Sequence, residues 1–273
     1  MQESLVVALV SDVFFGPGAG ERLDLRLREA RARGAELALL PEIPLNSWAP
    51  ATKDARSDDA EPRDGPRARL LAETARRVGI AVLGGAIVEE RGRRFNTALL
   101  HDGRGELRGS YRKLHLPEEP GFFETSHYEP GDEPPRVLDL GGFPLGVQIC
   151  SDSNRPELTH ALSALGAAAI LAPRATERGT WERWKLVFRA NAITASVYVL
   201  SVNRPAPEQG VPLGGPSLVV APDGTVLAES TEPVLVATLE REAVRRARRD
   251  YPGYLPVRSD LYERAWRACG SPT

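Results

Sequence analysis

The first half of the chain alternates short apolar segments with amphipathic ones, and this alternation constrains the fold most. Residues 5–10 are apolar and β-branched, as in a buried strand, and Leu23, Leu27 and Ala30 then recur at helical spacing. Residues 37–40 form the next apolar segment. Because parallel strands need a crossover connection, usually a helix, the pattern predicts an α/β fold with a parallel sheet.

Later in the chain, strand pairs joined by glycine-containing turns accompany the crossovers. Residues 97–101 and 106–111 flank an Asp102-Gly103 turn, which is typical of a hairpin. Further strands are predicted at 80–83, 137–140, 144–149, 168–171, 197–202, 217–220 and 225–228, and helices at 68–78 and 181–195. No linker divides the pattern, so residues 1–273 are expected to form a single domain, with a C-terminal tail (about 250–273) used in subunit contacts.

Composition and charge exclude several classes of partner. The 273 residues are 42% hydrophobic, which suffices for a sizeable core, and the formal net charge of -2 creates no field that would attract nucleic acid or an anionic membrane. Charged residues or glycine interrupt each apolar stretch before it reaches bilayer length. With two cysteines and no secretory signal at its start, the protein is expected to be cytoplasmic with reduced thiols and to act on a small molecule.

Three reactive side chains follow predicted strands. Glu42 comes after residues 37–40, Lys113 ends the second strand of a hairpin, and Cys150 follows residues 144–149. Because sites in α/β proteins form at strand ends, these side chains could share one site. A cysteine attacks as its thiolate and needs a base, and the intermediate that follows needs donors for its oxyanion. Glutamate, lysine and cysteine can supply those roles.

The sequence around these residues resembles the nitrilase superfamily of carbon–nitrogen hydrolases over nearly the whole chain. Glu42 lies in the superfamily's Leu-Pro-Glu context, Lys113 in Tyr-Arg-Lys-x-His, and Cys150 opens Cys-x-Asp-x-x-x-Pro-Glu. Glu124, in Pro-Gly-Phe-Phe-Glu, matches the supporting glutamate, and residues 189–204 match a helix-strand segment that ends in Asn-Arg. The motifs occur in the superfamily's order, which makes the resemblance specific.

The resemblance implies a four-layer α-β-β-α sandwich that pairs with a twin subunit, as a homodimer or a higher even homo-oligomer. It also implies hydrolysis of a non-peptide C–N bond through a Cys150 thioester, with no cofactor and no metal. Glu42 would be the general base, while Lys113 and the backbone N–H of Ser151 would hold the oxyanion. Glu124 would position the substrate or tune the other charges.

The nucleophile motif narrows the expected substrate. True nitrilases resemble one another in Cys-Trp-Glu, whereas this chain has Cys-Ser-Asp, which favours an amide or an N-carbamoyl compound. Arg174, after the strand at 168–171, is expected to bind a substrate carboxylate, with a surface or intramolecular salt bridge as the alternative. Trp48, Phe123 and Trp181 are expected to line the pocket, although each could be ordinary core.

Other interpretations remain open at this point. The protein could be a nitrilase proper, which converts a nitrile to an acid, or a catalytically silent binding or regulatory module of the same fold.

His115 is expected to be structural, and Asp152 to hold the turn of the nucleophile through backbone N–H groups. Residues 49–66, rich in Asp, Arg and Pro, are expected to form a surface loop that could act as a lid.

Overall fold

Two packed β-sheets form the centre of the computed structural model, which describes residues 2–269. The strands are β1 (Ser4–Val10), β2 (Leu37–Leu39), β3 (Ala60–Glu61), β4 (Ala81–Glu90), β5 (Arg93–His101), β6 (Leu107–Arg112), β7 (Glu118–Glu119), β8 (Phe122–Phe123), β9 (Leu138–Leu140), β10 (Phe143–Val147), β11 (Ala169–Arg174), β12 (Tyr198–Asn203), β13 (Ser217–Val220), β14 (Val226–Ser230) and β15 (Val234–Glu240). The helices are α1 (Ala19–Ala32), α2 (Pro66–Val78), α3 (Pro156–Ala164), α4 (Trp181–Ala195), α5 (Arg241–Arg249) and α6 (Ser259–Ala268).

Each sheet has a parallel centre and antiparallel edges. The first sheet has the order β15-β1-β2-β4-β5-β6, with β3 paired to β4, and the second has the order β14-β13-β12-β11-β10-β9. Strands β1, β2 and β4 are parallel and are connected through α1 and α2, and β10, β11 and β12 are parallel and connected through α3 and α4. The predicted α/β class is confirmed.

Alternate residues of β1 separate two of the layers. Val7 and Leu9 belong to the same buried cluster as Leu145 of the second sheet, so they face the interior between the sheets. The neighbouring residues Ala8 and Val10 pack with buried residues of α1 and α2 on the outer face. Since α3 and α4 contribute buried side chains to the cluster of the second sheet, the order of layers is helix, sheet, sheet, helix, as predicted.

Strand β4 is longer than the sequence predicts. It continues through Gly84 and Gly85 instead of ending before them. A Cβ at Gly84 would lie 2.8 Å from a methyl carbon of Leu71, and one at Gly85 would lie 3.1 Å from the carbonyl oxygen of Thr97. These glycines therefore let helix α2 and the neighbouring strand β5 approach β4 closely, rather than ending the strand.

Strand β15 was not predicted. It pairs antiparallel with β1 along its whole length, from Ser4 opposite Glu240 to Val10 opposite Val234, and so returns the chain from the second sheet to the first. Helix α5 begins directly after it, so no turn residue marks the end of the strand.

The predicted tail from residue 250 contains α6, whose residues are all exposed in the single chain. The large apolar side chains exposed there are Tyr251, Tyr254, Leu255, Val257, Leu261, Tyr262 and Trp266. The use of this segment in subunit contacts stays a prediction, and residues 270–273 of the predicted tail lie outside the described residues. Among residues 2–269, none of the helices combines the length and apolar character needed to span a bilayer.

Candidate active site

Four side chains that the sequence singles out lie at or soon after strand ends. Glu42 follows β2 after two residues, and Lys113 follows β6 directly. Glu124 begins the 3₁₀ turn Glu124–Ser126 after β8, and Cys150 begins the 3₁₀ turn Cys150–Asn154 after β10. Each of the four is at most 5% exposed, so the reactive groups are enclosed by the protein.

The ammonium group of Lys113 is the centre of the site. Its Nζ lies 2.8 Å from Oε1 of Glu42 and 2.6 Å from Oε1 of Glu124, and all three side chains are fully buried. The Glu42 carboxylate also accepts hydrogen bonds from Nδ2 of Asn96 at 2.8 Å and from the backbone N–H of Ala175 at 3.0 Å. These donors fix both oxygens of Glu42.

Ala175 links the Glu42 carboxylate to the thiol. Its N–H donates to Glu42, and its carbonyl oxygen accepts a hydrogen bond from Sγ of Cys150 at 3.6 Å. Cys150 has φ of +50°, and Ile43, next to Glu42, has φ of +36°, conformations that L residues seldom adopt. Such strained backbone persists only where its surroundings enforce it, and it often occurs at functional sites.

Asp152 joins the segment of Lys113 to the turn of Cys150. It is fully buried, and its two oxygens accept hydrogen bonds of 2.8–3.2 Å. The donors are the backbone N–H groups of Leu114, His115 and Ile149, the Nδ1 of His115 and the hydroxyl of Tyr111. The predicted structural roles of Asp152 and His115 are confirmed.

Burial and neighbouring charges set the protonation of the group. Burial raises the pKa of the Cys150 thiol well above its usual range, and the negative charge of Glu42 adds to this effect. Burial also raises the pKa of Glu124 to about 8, against the opposing charge of Lys113. For Lys113, burial alone would lower the pKa, but the charges of Glu124, Glu42 and Cys150 raise it above its usual value. At neutral pH the site therefore holds a thiol and an ammonium ion, and Glu124 is largely neutral.

The residues predicted to bind substrate have varied surroundings. The hydroxyl of Ser151 donates to the carbonyl oxygen of His115 at 2.5 Å, and within residues 2–269 no acceptor contacts the Ser151 backbone N–H. Trp48 is fully buried in an apolar cluster that includes Ala175. Phe123 is half-buried with the ammonium of Lys53 5.0 Å from its ring centre.

The structure corrects the predicted role of Arg174. Its guanidinium is fully buried, and each nitrogen donates to a protein oxygen: Nε to Oγ1 of Thr176, one terminal nitrogen to Oγ of Ser201, and the other to the carbonyl oxygen of Pro216. The prediction that Arg174 is open to a substrate carboxylate is therefore wrong. The alternative of an ion pair is wrong as well, because among residues 2–269 no carboxylate lies within 4.0 Å of it. Trp181, predicted as a pocket wall, packs beneath this guanidinium at 4.9 Å.

Arg204 is a structural element of the site that the sequence analysis missed. It is 2% exposed and donates to the carbonyl oxygens of Glu42, Ile43 and Asn46 at 2.6–3.1 Å. Glu208 lies 2.7 Å from it. Arg204 is the last residue of the segment 189–204, and the Asn-Arg ending of that segment was the signal for it in the sequence. Asn96, which contacts Glu42, was missed as well. Its signal in the sequence was weaker, because it was marked only as a polar residue within the largely apolar strand β5.

The segment at 49–66 lies over the loop that carries Glu124. The carbonyl oxygen of Thr52 is 2.7 Å from Nε2 of His127, and Lys53 forms an ion pair of 3.4 Å with Glu118. A cavity of about 90 Å³ lies beside this segment and is partly lined by Trp48. Much of the segment is exposed, as predicted for a surface loop, and its action as a lid stays a prediction.

Known proteins resemble this chain over most of its length. The family model described as carbon-nitrogen hydrolase matches residues 21–249. The chain is 32% identical over 254 residues to a chloroplastic omega-amidase of Arabidopsis thaliana, covering 87% of this chain and 67% of the relative. It is 27% identical over 280 aligned positions to an N-carbamoylputrescine amidase of the same plant, covering 95% and 93%. A solved double mutant of the amidase from Nesterenkonia sp. AN1, in complex with acrylamide, superposes with a TM-score of 0.81 at 26% identity, covering 97% of this chain and 98% of that one.

Proposed function

The chain belongs to the carbon–nitrogen hydrolase family of the nitrilase superfamily, and we propose that within this family it is a thiol amidohydrolase. It cleaves the C–N bond of a small non-peptide amide or N-carbamoyl compound through a Cys150 thioester. The observation that carries the proposal is the buried ammonium of Lys113, held between Glu42 and Glu124 beside an enclosed thiol. This arrangement combines a nucleophile, a base and an oxyanion donor.

The first step activates the thiol. Because its pKa is raised, Cys150 rests as a thiol and needs a base close by. Glu42 takes the proton, and the sulfur then attacks the carbonyl carbon of the substrate. The contacts of Glu42 with Lys113, Asn96 and the Ala175 N–H support this role, because they hold the carboxylate in one orientation.

The second step expels the nitrogen. The tetrahedral intermediate carries negative charge on the former carbonyl oxygen, to which Nζ of Lys113 and the N–H of Ser151 donate. Protonated Glu42 transfers its proton to the leaving nitrogen, the C–N bond breaks, and ammonia or an amine departs. The acyl group remains on the sulfur of Cys150 as a thioester.

The third step releases the acid. Glu42 takes a proton from water, whose oxygen adds to the thioester carbon. The C–S bond then breaks, and the sulfur recovers the proton from Glu42. Glu124 holds Lys113 in position throughout, and acid–base and nucleophilic chemistry suffices for the sequence without a metal or cofactor.

The substrate class is supported by the chemistry of the site and by the names of the relatives. An amide and an N-carbamoyl compound both present a carbonyl carbon bonded to nitrogen, which the thiolate can attack. The relatives named omega-amidase and N-carbamoylputrescine amidase carry these two classes in their names.

A substrate panel with a matched pair of cysteine variants tests the proposal. Ammonia release is measured on small aliphatic amides, N-carbamoyl compounds and nitriles. Cys150→Ala should abolish turnover with an unchanged circular dichroism spectrum, whereas Cys269→Ser, which alters the exposed cysteine, should retain it. Hydrolysis by Cys150→Ala would end the proposal, turnover of nitriles alone would favour a nitrilase, and no turnover by the wild type would favour a binding module.

A further inference from the structure

Arg174 is a buried cation without an acidic partner among residues 2–269. Its side chain is fully enclosed, and the oxygens that accept its hydrogen bonds belong to the neutral groups of Thr176, Ser201 and Pro216. Desolvating a charge is unfavourable unless an opposite charge or another interaction offsets it. Within residues 2–269 no carboxylate lies within ion-pair distance, so the reason for burying this charge must lie elsewhere.

The position of Arg174 suggests that reason. It directly precedes Ala175, whose N–H contacts Glu42 and whose carbonyl oxygen accepts from the Cys150 thiol. The Nε of Arg174 donates to the side-chain hydroxyl of Thr176 at 3.1 Å, so the Arg174 side chain is hydrogen-bonded to the residue on the far side of Ala175. The rings of Trp181 and Phe188 lie 4.9 and 5.6 Å from the guanidinium carbon and confine the group further.

The positive charge of Arg174 affects the thiol in addition to these contacts. Burial lowers the pKa of Arg174 to about 9, so the group remains charged at neutral pH, and the negative charge that Cys150 can carry opposes the lowering. The other charged groups that act on Cys150 are Glu42 and Glu124, which disfavour a thiolate, and Lys113, which favours it. Cys150 belongs to the same buried cluster as Phe188, against which the guanidinium packs, so Arg174 is a second buried cation near the thiol, and its field is weakly screened.

We propose that Arg174 is a positioning residue whose buried positive charge stabilises the Cys150 thiolate and whose hydrogen bonds hold the Ala175 peptide between thiol and base. The inference rests on the proposed function in taking Cys150 as the nucleophile. No bond forms or breaks at Arg174. Its effect is to lower the free energy of the thiolate after the proton has passed to Glu42.

Alkylation of Cys150 by iodoacetamide tests this inference without any substrate. The rate constant is measured by intact mass at one fixed pH near neutrality in a Cys269→Ser background, so that a single thiol is labelled. Arg174→Met and Arg174→Gln remove the charge, and the glutamine variant keeps some hydrogen-bonding capacity in case the apolar variant does not fold. Arg174→Lys keeps the charge, and Ser201→Ala removes one of the three hydrogen bonds of the guanidinium, together with the bond from the Ser201 hydroxyl to Ala172, while leaving the guanidinium in place.

The matched control is Arg248→Met. Arg248 also donates to neutral oxygens, those of Ser163 and Ala167, but it contacts the end of α3 rather than the site. Because Cys150 is a thiol near neutrality, its alkylation rate there follows the small thiolate fraction, and the two uncharged Arg174 variants should react about tenfold more slowly than the parent. The lysine variant, Ser201→Ala and Arg248→Met should each stay within about threefold of the parent.

Two results would overturn the inference: an unchanged alkylation rate in the uncharged variants, or an equal decrease in Ser201→Ala, which would indicate a purely structural role. Failure of the proposed function is distinguishable from these results. If no amide or N-carbamoyl compound is hydrolysed and the uncharged variants are still alkylated more slowly, the charge effect stands and the proposed reaction does not. If turnover depends on Cys150 and the alkylation rate does not change, the reverse holds.

Discussion

Replacement of Glu124 by glutamine should make the protein more stable than the wild type at alkaline pH. Oε1 of Glu124 accepts a hydrogen bond from Lys113, and the fully buried side chain lies beside the hydroxyl of Tyr128. A glutamine can keep the first contact through its carbonyl oxygen, and it has the shape of a protonated glutamate. The Glu124→Gln variant would therefore reproduce the neutral form of the side chain at every pH.

The magnitude follows from the pKa of Glu124. Burial raises it from 4.5 to about 8, so the folded protein holds this proton more tightly than the unfolded chain. The stability contributed by the proton is fully present below pH 4.5 and is lost as the pH rises through 8. Between pH 5 and pH 8.5 the wild type should lose about 4 kcal/mol relative to Glu124→Gln, at about 1.4 kcal/mol per pH unit. Lys113 and Cys150 do not titrate in this window, because their pKa values are raised above their usual ones.

Urea unfolding at a series of pH values, monitored by tryptophan fluorescence, measures this difference. The free energy of unfolding of Glu124→Gln minus that of the wild type should increase steadily from pH 5 to pH 8.5. Glu119→Gln, an exposed change in the same loop, is the control and should give a difference that does not depend on pH. A constant difference for Glu124→Gln, or a wild type that becomes relatively more stable with rising pH, would refute the reasoning.

Three further predictions concern the oxyanion donor, the buried carboxylate and the tail. Lys113→Met should lower kcat at least about 100-fold, because the intermediate loses its cationic donor, and steady-state rates within about fivefold of the wild type would contradict this. Asp152→Asn should reduce the free energy of unfolding by about 3 kcal/mol, because its amide group would face two buried donors; an unchanged urea midpoint would count against it. Removal of residues 250–273 should yield a smaller species in sedimentation velocity, because the exposed apolar side chains there would otherwise be covered by a second copy, and an unchanged sedimentation coefficient would argue against that role.

The crossover units and the main site residues could be predicted from the sequence because their signals are local. Apolar segments such as residues 5–10 and 37–40 alternate with segments in which apolar residues recur at helical spacing. Helix α4 has the predicted bounds. Glu42, Lys113 and Cys150 each follow a strand within a short motif, and parallel strands bring such ends to one edge of a sheet.

The remaining features depend on contacts between distant segments. The course of β4 through Gly84 is explained by its packing against Leu71, and β15 is defined by its pairing with β1 rather than by a turn. The surroundings of Arg174 depend on Ser201 and Pro216, which are far away in the sequence. No local pattern distinguishes an arginine open to a ligand from one that is enclosed.

The central claim is that Cys150 carries the acyl group of the substrate during turnover. The most direct test is the intact mass of the wild type quenched with acid while it turns over a saturating amide, followed by peptide mapping. Acid stops deacylation and thioesters persist in acid, so the acyl-enzyme present during turnover should survive the quench. We expect a mass increase equal to the acyl group on the peptide containing Cys150, and none in Cys150→Ala. A wild type without an acyl group at quench times both shorter and longer than one turnover, or an acyl group on another residue, would contradict the account.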